Sequence, residues 1–311
     1  MDKNIFLSFP KNSVEFDERF SNEESCEAFL FEKRWGDGFT CSHCQHTEYW
    51  KDGRGNYICK KCEHQHSLKA GTIMHSSKKP LKVWFKAIWL FTVSKRGISA
   101  KELQTQLGVS YPTAWLWLQK LRRSSLDEER KKLSGKVEVD EFYLGGKHKG
   151  KQGRGSENKH KVVIAVEKLE YKGKEYVGRI RLKVVNSCNS ENLTQFVLDN
   201  VQVEAEVDTD KWTGYNKLRE NDYKHSATKI SDYDLEFKGL HNIVSLIKRW
   251  ILGTFQGRTS KKHIQWYLEE YVFRFNRRSF NIGKKFDRAL DFAIIHKPMK
   301  YSDIVDKLEV S

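Results

Sequence analysis

The chain has fewer acids than bases, little proline and methionine, and no long apolar run. Nowhere does it approach the roughly 20 successive apolar residues that span a bilayer. Its start, Met1-Asp2-Lys3-Asn4-Ile5-Phe6-Leu7-Ser8-Phe9-Pro10, lacks the apolar stretch of a secretion signal, so neither a membrane span nor export is expected. Only 4 Pro and 20 Gly among 311 residues exclude collagen-like and low-complexity architectures. Cysteine is also sparse. Its six residues stand at 26, 41, 44, 59, 62 and 188, four of them in two Cys-x-x-Cys pairs, a pattern of metal binding rather than of a disulfide framework. Asp and Glu number 41 against 56 Lys and Arg, a formal charge of +15, which implies a polyanionic partner and nucleic acid first. What is plentiful is aromatic surface: 18 Phe, 12 Tyr and 9 Trp can build cores and argue against global disorder. The length allows two or three domains.

No repeat at solenoid spacing occurs. Residues 12–34 predict a helical lead-in, 36–72 short strands around a metal, and 78–133 three helices. Residues 135–228 change to period-two alternation with one helix inside, and 240–311 return to helical periodicity. The charged segment 125–134 is the expected link between head and core. The domain reading is therefore a lead-in and ribbon over 1–76, a helical DNA-binding region over 77–133, a catalytic-type core over 134–285 and a C-terminal helix or tail over 286–311.

Cys41-Ser-His-Cys44 and Cys59-Lys-Lys-Cys62 are 14 residues apart. Each tight turn offers two thiolates to one ion, and two turns complete a tetrahedron, so a structural Zn²⁺ ribbon is expected on Cys41, Cys44, Cys59 and Cys62. A hairpin turning at Gly53-Arg54-Gly55 would join the pairs. His43, His46, His64 and His66 are substitute ligands in principle; Cys26 and Cys188 read as small packing residues.

Ser99 to Leu121 has helix-turn-helix form. Ser99 and Glu102 make a capping box, Gly108 suits a left-handed turn, Ser110 caps a second helix and Pro112 is tolerated near its start. Leu103, Leu107, Val109, Ala114, Leu118 and Leu121 form an inward face, whereas Trp115 and Trp117 cannot both point there. Between 95 and 132 the net charge is +5, with Lys120, Arg122 and Arg123 as DNA-contact candidates.

In Gly135-Lys-Val-Glu-Val-Asp140-Glu-Phe-Tyr-Leu-Gly-Gly146, Val137 and Val139 face one side and Glu138 and Asp140 the other. Strands over 161–166 and 177–185, a helix over 190–201 and a strand over 205–210 follow. Three strands, helix, strand, helix is the order of a ribonuclease-H-like sheet, in which the first and fourth strands are neighbours. Asp140 and Asp210 could then meet at divalent ions, with Mg²⁺ or Mn²⁺ matching oxygen ligands.

These motifs together resemble the bacterial insertion-sequence transposases of the acid-triad (DDE) class, in the zinc-ribbon lineage related to eukaryotic Merlin elements. The resemblance runs from about 25 to 280. It is carried by the four cysteines, Ala70-Gly-Thr-Ile-Met-His75, Pro80-Leu-Lys-Val-Trp84, Val137-Glu-Val-Asp-Glu141, Gly145-Gly-Lys147 and Thr209-Asp-Lys-Trp-Thr-Gly-Tyr215. In the tail it is carried by Lys248-Arg-Trp-Ile-Leu-Gly-Thr254, Lys262-His-Ile-Gln265, Tyr267-Leu-Glu-Glu270 and Phe273-Arg-Phe-Asn-Arg-Arg278. It implies Asp140 and Asp210 as the first two metal-binding acids. The third position, commonly Glu seven residues before a helical Lys, falls on His241 when Lys248 is that Lys; Asn242 and Glu236 are competitors. Imidazole departs from the carboxylate of the class and suits Mn²⁺ better than Mg²⁺. Lys248 would touch DNA phosphate.

The resemblance implies a zinc-ribbon and helix-turn-helix head, a ribonuclease-H-like core and a helical tail, an α+β or α/β multidomain chain. It also implies an enzyme that cleaves element ends and joins them to target DNA as a homo-oligomer on duplex DNA. Such a protein would work at the nucleoid of a bacterium or the nucleus of a eukaryote. Further duplex contacts are expected from Lys147 and Lys149 in the basic loop 147–161, and from Arg249, Arg274, Arg277 and Arg278. The alternatives are a domesticated transposase that binds DNA without chemistry and a ribonuclease-H-like nuclease for branched DNA. Lys285 to His296 predicts one more amphipathic helix, with no chemistry assigned.

Overall fold

Asn12 and Asn22 open the first two helices. Their side chains accept from the amides of Glu15 and Ser25, which satisfies donors that a helix start leaves free and sets α1 (Ser13–Arg19) and α2 (Glu23–Trp35). The computed structural model describes residues 9–145, 159–228, 237–257 and 260–305. It falls into two compact units, one from Met1–Ser125 with Phe280–Lys307 and one from Leu126–Ser279.

In the first unit, β1 (Tyr49–Lys51), β2 (Tyr57–Cys59) and β3 (Gln65–His66) form an antiparallel sheet. Asp52 organises the β1–β2 turn, its carboxylate accepting from the amides of Arg54 and Asn56 at 2.8 Å each. The three helices expected over 78–133 are α3 (Leu81–Val93), α4 (Ala100–Leu107) and α5 (Tyr111–Ser124). Ser99 caps α4, Gly108 closes it at φ 62°, and Ser110 caps α5. Leu103, Val109, Ala114, Leu118 and Leu121 are buried as expected, and Leu107 is half-buried. Trp117 stacks on Trp84 at 3.8 Å between ring centroids, leaving Trp115 half-exposed.

The second unit is a mixed sheet between helices. Its strands are β4 (Lys136–Leu144), β5 (His160–Tyr171), β6 (Lys174–Val185), β7 (Glu206–Asp210) and β8 (Lys224–Thr228), in the order β6-β5-β4-β7-β8. β4, β5 and β6 are antiparallel; β7 runs parallel to β4 and β8 parallel to β7. The β5–β6 hairpin is longer than expected. It turns at Lys172-Gly173, where φ values of 53° and 71° match the twist of paired strands. Helix α6 (Ser190–Asn200) and a 3₁₀ helix (Thr213–Asn221) cover the face bearing Val137, Val139, Val163 and Ala165. Helices α7 (Lys238–Phe255) and α8 (Ile264–Asn276) cover the face bearing Phe142, Leu144, Ile164 and Leu182.

The edge strand β6 is sealed by side chains of α8 and the residues after it. Asn276 accepts from the Ile180 amide at 2.8 Å and donates to the Ile180 carbonyl at 3.2 Å. Gln265 accepts from the Val184 amide at 2.8 Å and donates to the Leu182 carbonyl at 3.1 Å. Arg278 donates to the carbonyls of Gly178 and Val177. These groups take the place of a further strand, and so block the edge-to-edge pairing that an open strand invites.

The chain then returns to the first unit as α9 (Ile282–Ile295) and α10 (Tyr301–Val305). Lys33 bridges Asp287 at 2.5 Å and Asp291 at 2.8 Å, and Phe286 joins an aromatic core with Phe16, Phe20, Phe85 and Trp89. The helix expected over 285–296 is therefore part of the head unit's core. No described helix is long and apolar enough to cross a membrane.

Candidate metal centres and nucleic-acid surface

Each Cys-x-x-Cys is a tight turn followed by a left-handed residue. The Gln45 amide donates to the Cys41 carbonyl and the Glu63 amide to that of Cys59, with φ 60° at Gln45 and 56° at Glu63. The two turns bring the four sulfurs within 4.8 Å of one another, with Cys41–Cys62 at 3.6 Å and Cys44–Cys59 at 3.5 Å. A tetrahedral zinc at its usual sulfur distance needs sulfurs about 3.8 Å apart, so the cluster fits one such ion. Burial disfavours the Cys59 thiolate, yet the amides of Cys62 and Lys61 pull it down to about 7. Cys62 accepts from the His64 amide, but burial and its three thiol neighbours push it up to about 12. Four thiolates therefore require a cation among them. His66 meets the cluster through Nε2, 3.4 Å from Cys41 Sγ.

In the sheet unit, β4 and β7 are paired through Glu138 with Asp208 and Val139 with Thr209, so Asp140 and Asp210 come next, side by side on one face. That face carries α7, whose His241 Nε2 lies 3.9 Å from Asp140 Oδ2. The Asp140 side chain is 11% exposed and that of His241 32%, so the pair is reachable from solvent yet largely walled by protein. Lys248 lies two turns further along α7, exposed, with Nζ 5.8 Å from the Phe142 ring; Arg249 beside it is exposed as well. Below the pair, Glu138 is buried and raised above an ordinary carboxyl by burial, which its 3.1 Å bridge to Lys168 opposes.

Glu141 and Tyr215, to which the motifs assign no role, also meet at this end of β4. Glu141 points to the opposite face, where Tyr215 Oη donates to Glu141 Oε2 at 3.0 Å. Burial, then Glu141, Asp140 and Asp210, push the Tyr215 phenol well above its ordinary value, so it stays protonated and able to donate. Strand alternation was the available signal for Glu141, and the Thr-Gly-Tyr run for Tyr215.

Several of the cations expected on DNA also hold groups of the protein. Lys120 Nζ donates to the Ile73 carbonyl at 3.0 Å, and burial lowers its ammonium below the ordinary value. Arg122 is only 2% exposed, and Arg123 donates to the Asp303 carbonyl at 2.9 Å. Arg274 donates from Nε and Nη2 to the single oxygen Oε1 of buried Glu270, at 2.9 and 2.7 Å. Arg277 lies over the Phe273 ring and 3.6 Å from Asp127. Arg278 seals β6. For Lys120, Arg123, Arg274, Arg277 and Arg278 the physical reason is common: long cationic side chains lay their stems on the protein and find carbonyls or carboxylates at their tips. Lys147, Lys149 and Glu236 lie outside the described residues.

Residues 132–276 match the ISXO2-like transposase domain, and residues 21–65 match the transposase zinc-ribbon domain. A protein of Halobacterium salinarum, described as an uncharacterized protein in transposable element ISH50, is 26% identical over 278 residues, covering 82% of this chain and 91% of the relative. The chain thus carries an ISXO2-like transposase domain over 132–276 behind a transposase zinc-ribbon domain over 21–65.

Proposed function

We propose that the chain is a DNA transposase that binds the ends of its element and catalyses metal-dependent strand cleavage and strand transfer. The observation that carries this is the meeting of His241 with Asp140 on the face where the strand register sets Asp210 beside Asp140. Two carboxylates and an imidazole at one mouth suit divalent ions, with Mn²⁺ favoured by the nitrogen donor. Such ions supply activation of an attacking oxygen and stabilisation of the leaving oxygen at phosphorus. Asp140 and Asp210 hold the ions, His241 completes the set, and Lys248 with Arg249 anchors a DNA phosphate along α7. The sheet order supports a ribonuclease-H-like core. The α4–α5 pair with its Gly108 turn supports a helix-turn-helix that reads element ends with the ribbon. Two copies would act on paired ends inside the cell.

His241 also favours a second reading, a chain that binds element ends without cutting them, because imidazole stands where the class commonly has carboxylate. The test is a plasmid bearing the gene's own flanks, incubated with the protein in Mg²⁺ and separately in Mn²⁺, with Asp210→Asn alongside. Cuts at the flanks that vanish in Asp210→Asn support the transposase. Equal cutting by Asp210→Asn refutes the site, and specific binding without cutting in either metal supports the second reading.

A further inference from the structure

The segment Thr209–Tyr215 links β7 to the 3₁₀ helix, and Thr209, Asp210, Trp212 and Tyr215 in it are all hydrogen-bonded. The Thr209 hydroxyl donates to the Asp210 carbonyl at 2.8 Å and lies 2.8 Å from His225 Nε2. The Trp212 amide donates to Asp210 Oδ1 at 3.1 Å, and its indole donates to the Cys188 carbonyl at 3.3 Å. Gly214 has no room for a side chain: an added Cβ would stand 2.6 Å from Trp212 Nε1 and 2.9 Å from Leu193 Cδ1. Tyr215 is fully buried and reaches β4 through its bond to Glu141, the neighbour of Asp140.

We propose that Tyr215 and Glu141 are positioning residues, a latch that fixes the segment carrying Asp210 to the strand carrying Asp140 and so sets the spacing of the two acids. Neither touches the metal in this scheme. Glu141 lies on the sheet face opposite Asp140, and Tyr215 offers its hydroxyl to Glu141. The latch acts on the backbone: β4 and the turn after β7 are held at one separation, while the Trp212 amide orients the Asp210 carboxylate. A bond from a fully buried phenol to a half-buried carboxylate suits this task, because its loss takes the acceptor from the buried phenol and lets the two strand ends drift. The inference rests on the reading of Asp140 and Asp210 as a metal pair.

The test is Mn²⁺ titration of the zinc-loaded full chain, followed by the electron paramagnetic resonance of free Mn²⁺. Tyr215→Phe keeps the ring and removes the bond. It should weaken Mn²⁺ binding about 10- to 100-fold, the range for residues that support metal ligands from behind. Glu141→Ala should do the same, and the double variant should be no worse than either single one, since both changes remove one shared bond. Glu141→Gln keeps an acceptor for the phenol and should restore affinity to within about threefold of the parent. Unchanged or tighter binding in Tyr215→Phe overturns the latch, as does simple multiplication of the two single effects. Asp210→Asn separates the failures. If it binds Mn²⁺ like the parent, the metal-pair reading falls and the latch with it; if it loses Mn²⁺ while Tyr215→Phe does not, the latch alone falls.

Discussion

Asn276→Ala should unseal β6, and the cost follows from the geometry. The Asn276 carboxamide satisfies both the amide and the carbonyl of Ile180, at 2.8 and 3.2 Å, and Ile180 is fully buried. Truncation leaves one donor and one acceptor without partners and without easy access to water. At ~1–3 kcal/mol for each orphaned group, the loss is about 2–6 kcal/mol. For a unit of this size each kcal/mol moves the midpoint by about 2–4 °C, so the sheet unit should melt roughly 8–16 °C lower if the cost is near the middle of that range. Asn276→Asp still accepts from the amide but cannot donate to the carbonyl, and should fall between parent and Asn276→Ala. Differential scanning calorimetry of the full chain reads the midpoints, and size-exclusion chromatography reads the edge-to-edge association that an open strand permits. A loss below about 1 kcal/mol would mean that water replaces the carboxamide without penalty, and the sealing argument would be refuted.

Replacing Cys59 by Ser should release the ribbon's zinc, measured by chromophoric chelator assay, because three thiolates no longer close the tetrahedron; full zinc retention would disprove the four-sulfur site. Gly214→Ala forces a Cβ against the Trp212 indole and should destabilise the sheet unit by about 1–3 kcal/mol in urea unfolding; an unchanged midpoint would show that Trp212 moves freely. Glu167 gives an acid-side prediction. Burial opposes its charge, but bonds from Arg179 and the Ser134 amide hold its folded-state value below the ordinary carboxyl. Its stabilisation is therefore complete above the ordinary value of 4.5 and drains away as pH falls through the lowered folded value. Glu167→Gln should flatten that part of the stability–pH curve, and an unaltered acid limb would exclude Glu167 as a contributor.

Local chemistry was legible along the chain because it depends on near neighbours. Spacing alone revealed two cysteine turns, since a Cys-x-x-Cys can do little else with a shared ion. The caps Ser99 and Ser110 and the left-handed Gly108 could be read for the same reason, as each acts within four residues of itself. Alternation in β4 separated Val137 and Val139 from Glu138 and Asp140, and the order of elements placed β7 beside β4. Less local features stayed hidden. The β5–β6 hairpin extends through Glu167, Lys168, Glu170 and Glu175, whose charges mask the strand pattern while the Lys172-Gly173 turn supports the pairing. β8, Lys-His-Ser-Ala-Thr, has no apolar alternation because it lies at the sheet's edge.

The cations show the largest gap between sequence and structure. A lysine or arginine reads as surface charge until its tip is located. Lys120 and Arg278 hold carbonyls far along the chain, at Ile73 and Gly178, Arg274 holds Glu270 one helical turn away, and Arg122 lies buried. The return of α9 to the head through Lys33, the Asn276 seal and the Tyr215–Glu141 bond have the same origin. Each joins residues more than 70 positions apart, and such pairings exist only once the chain has closed on itself. Periodicity and spacing settle which residues can do chemistry, whereas tertiary packing settles which of them face solvent to do it.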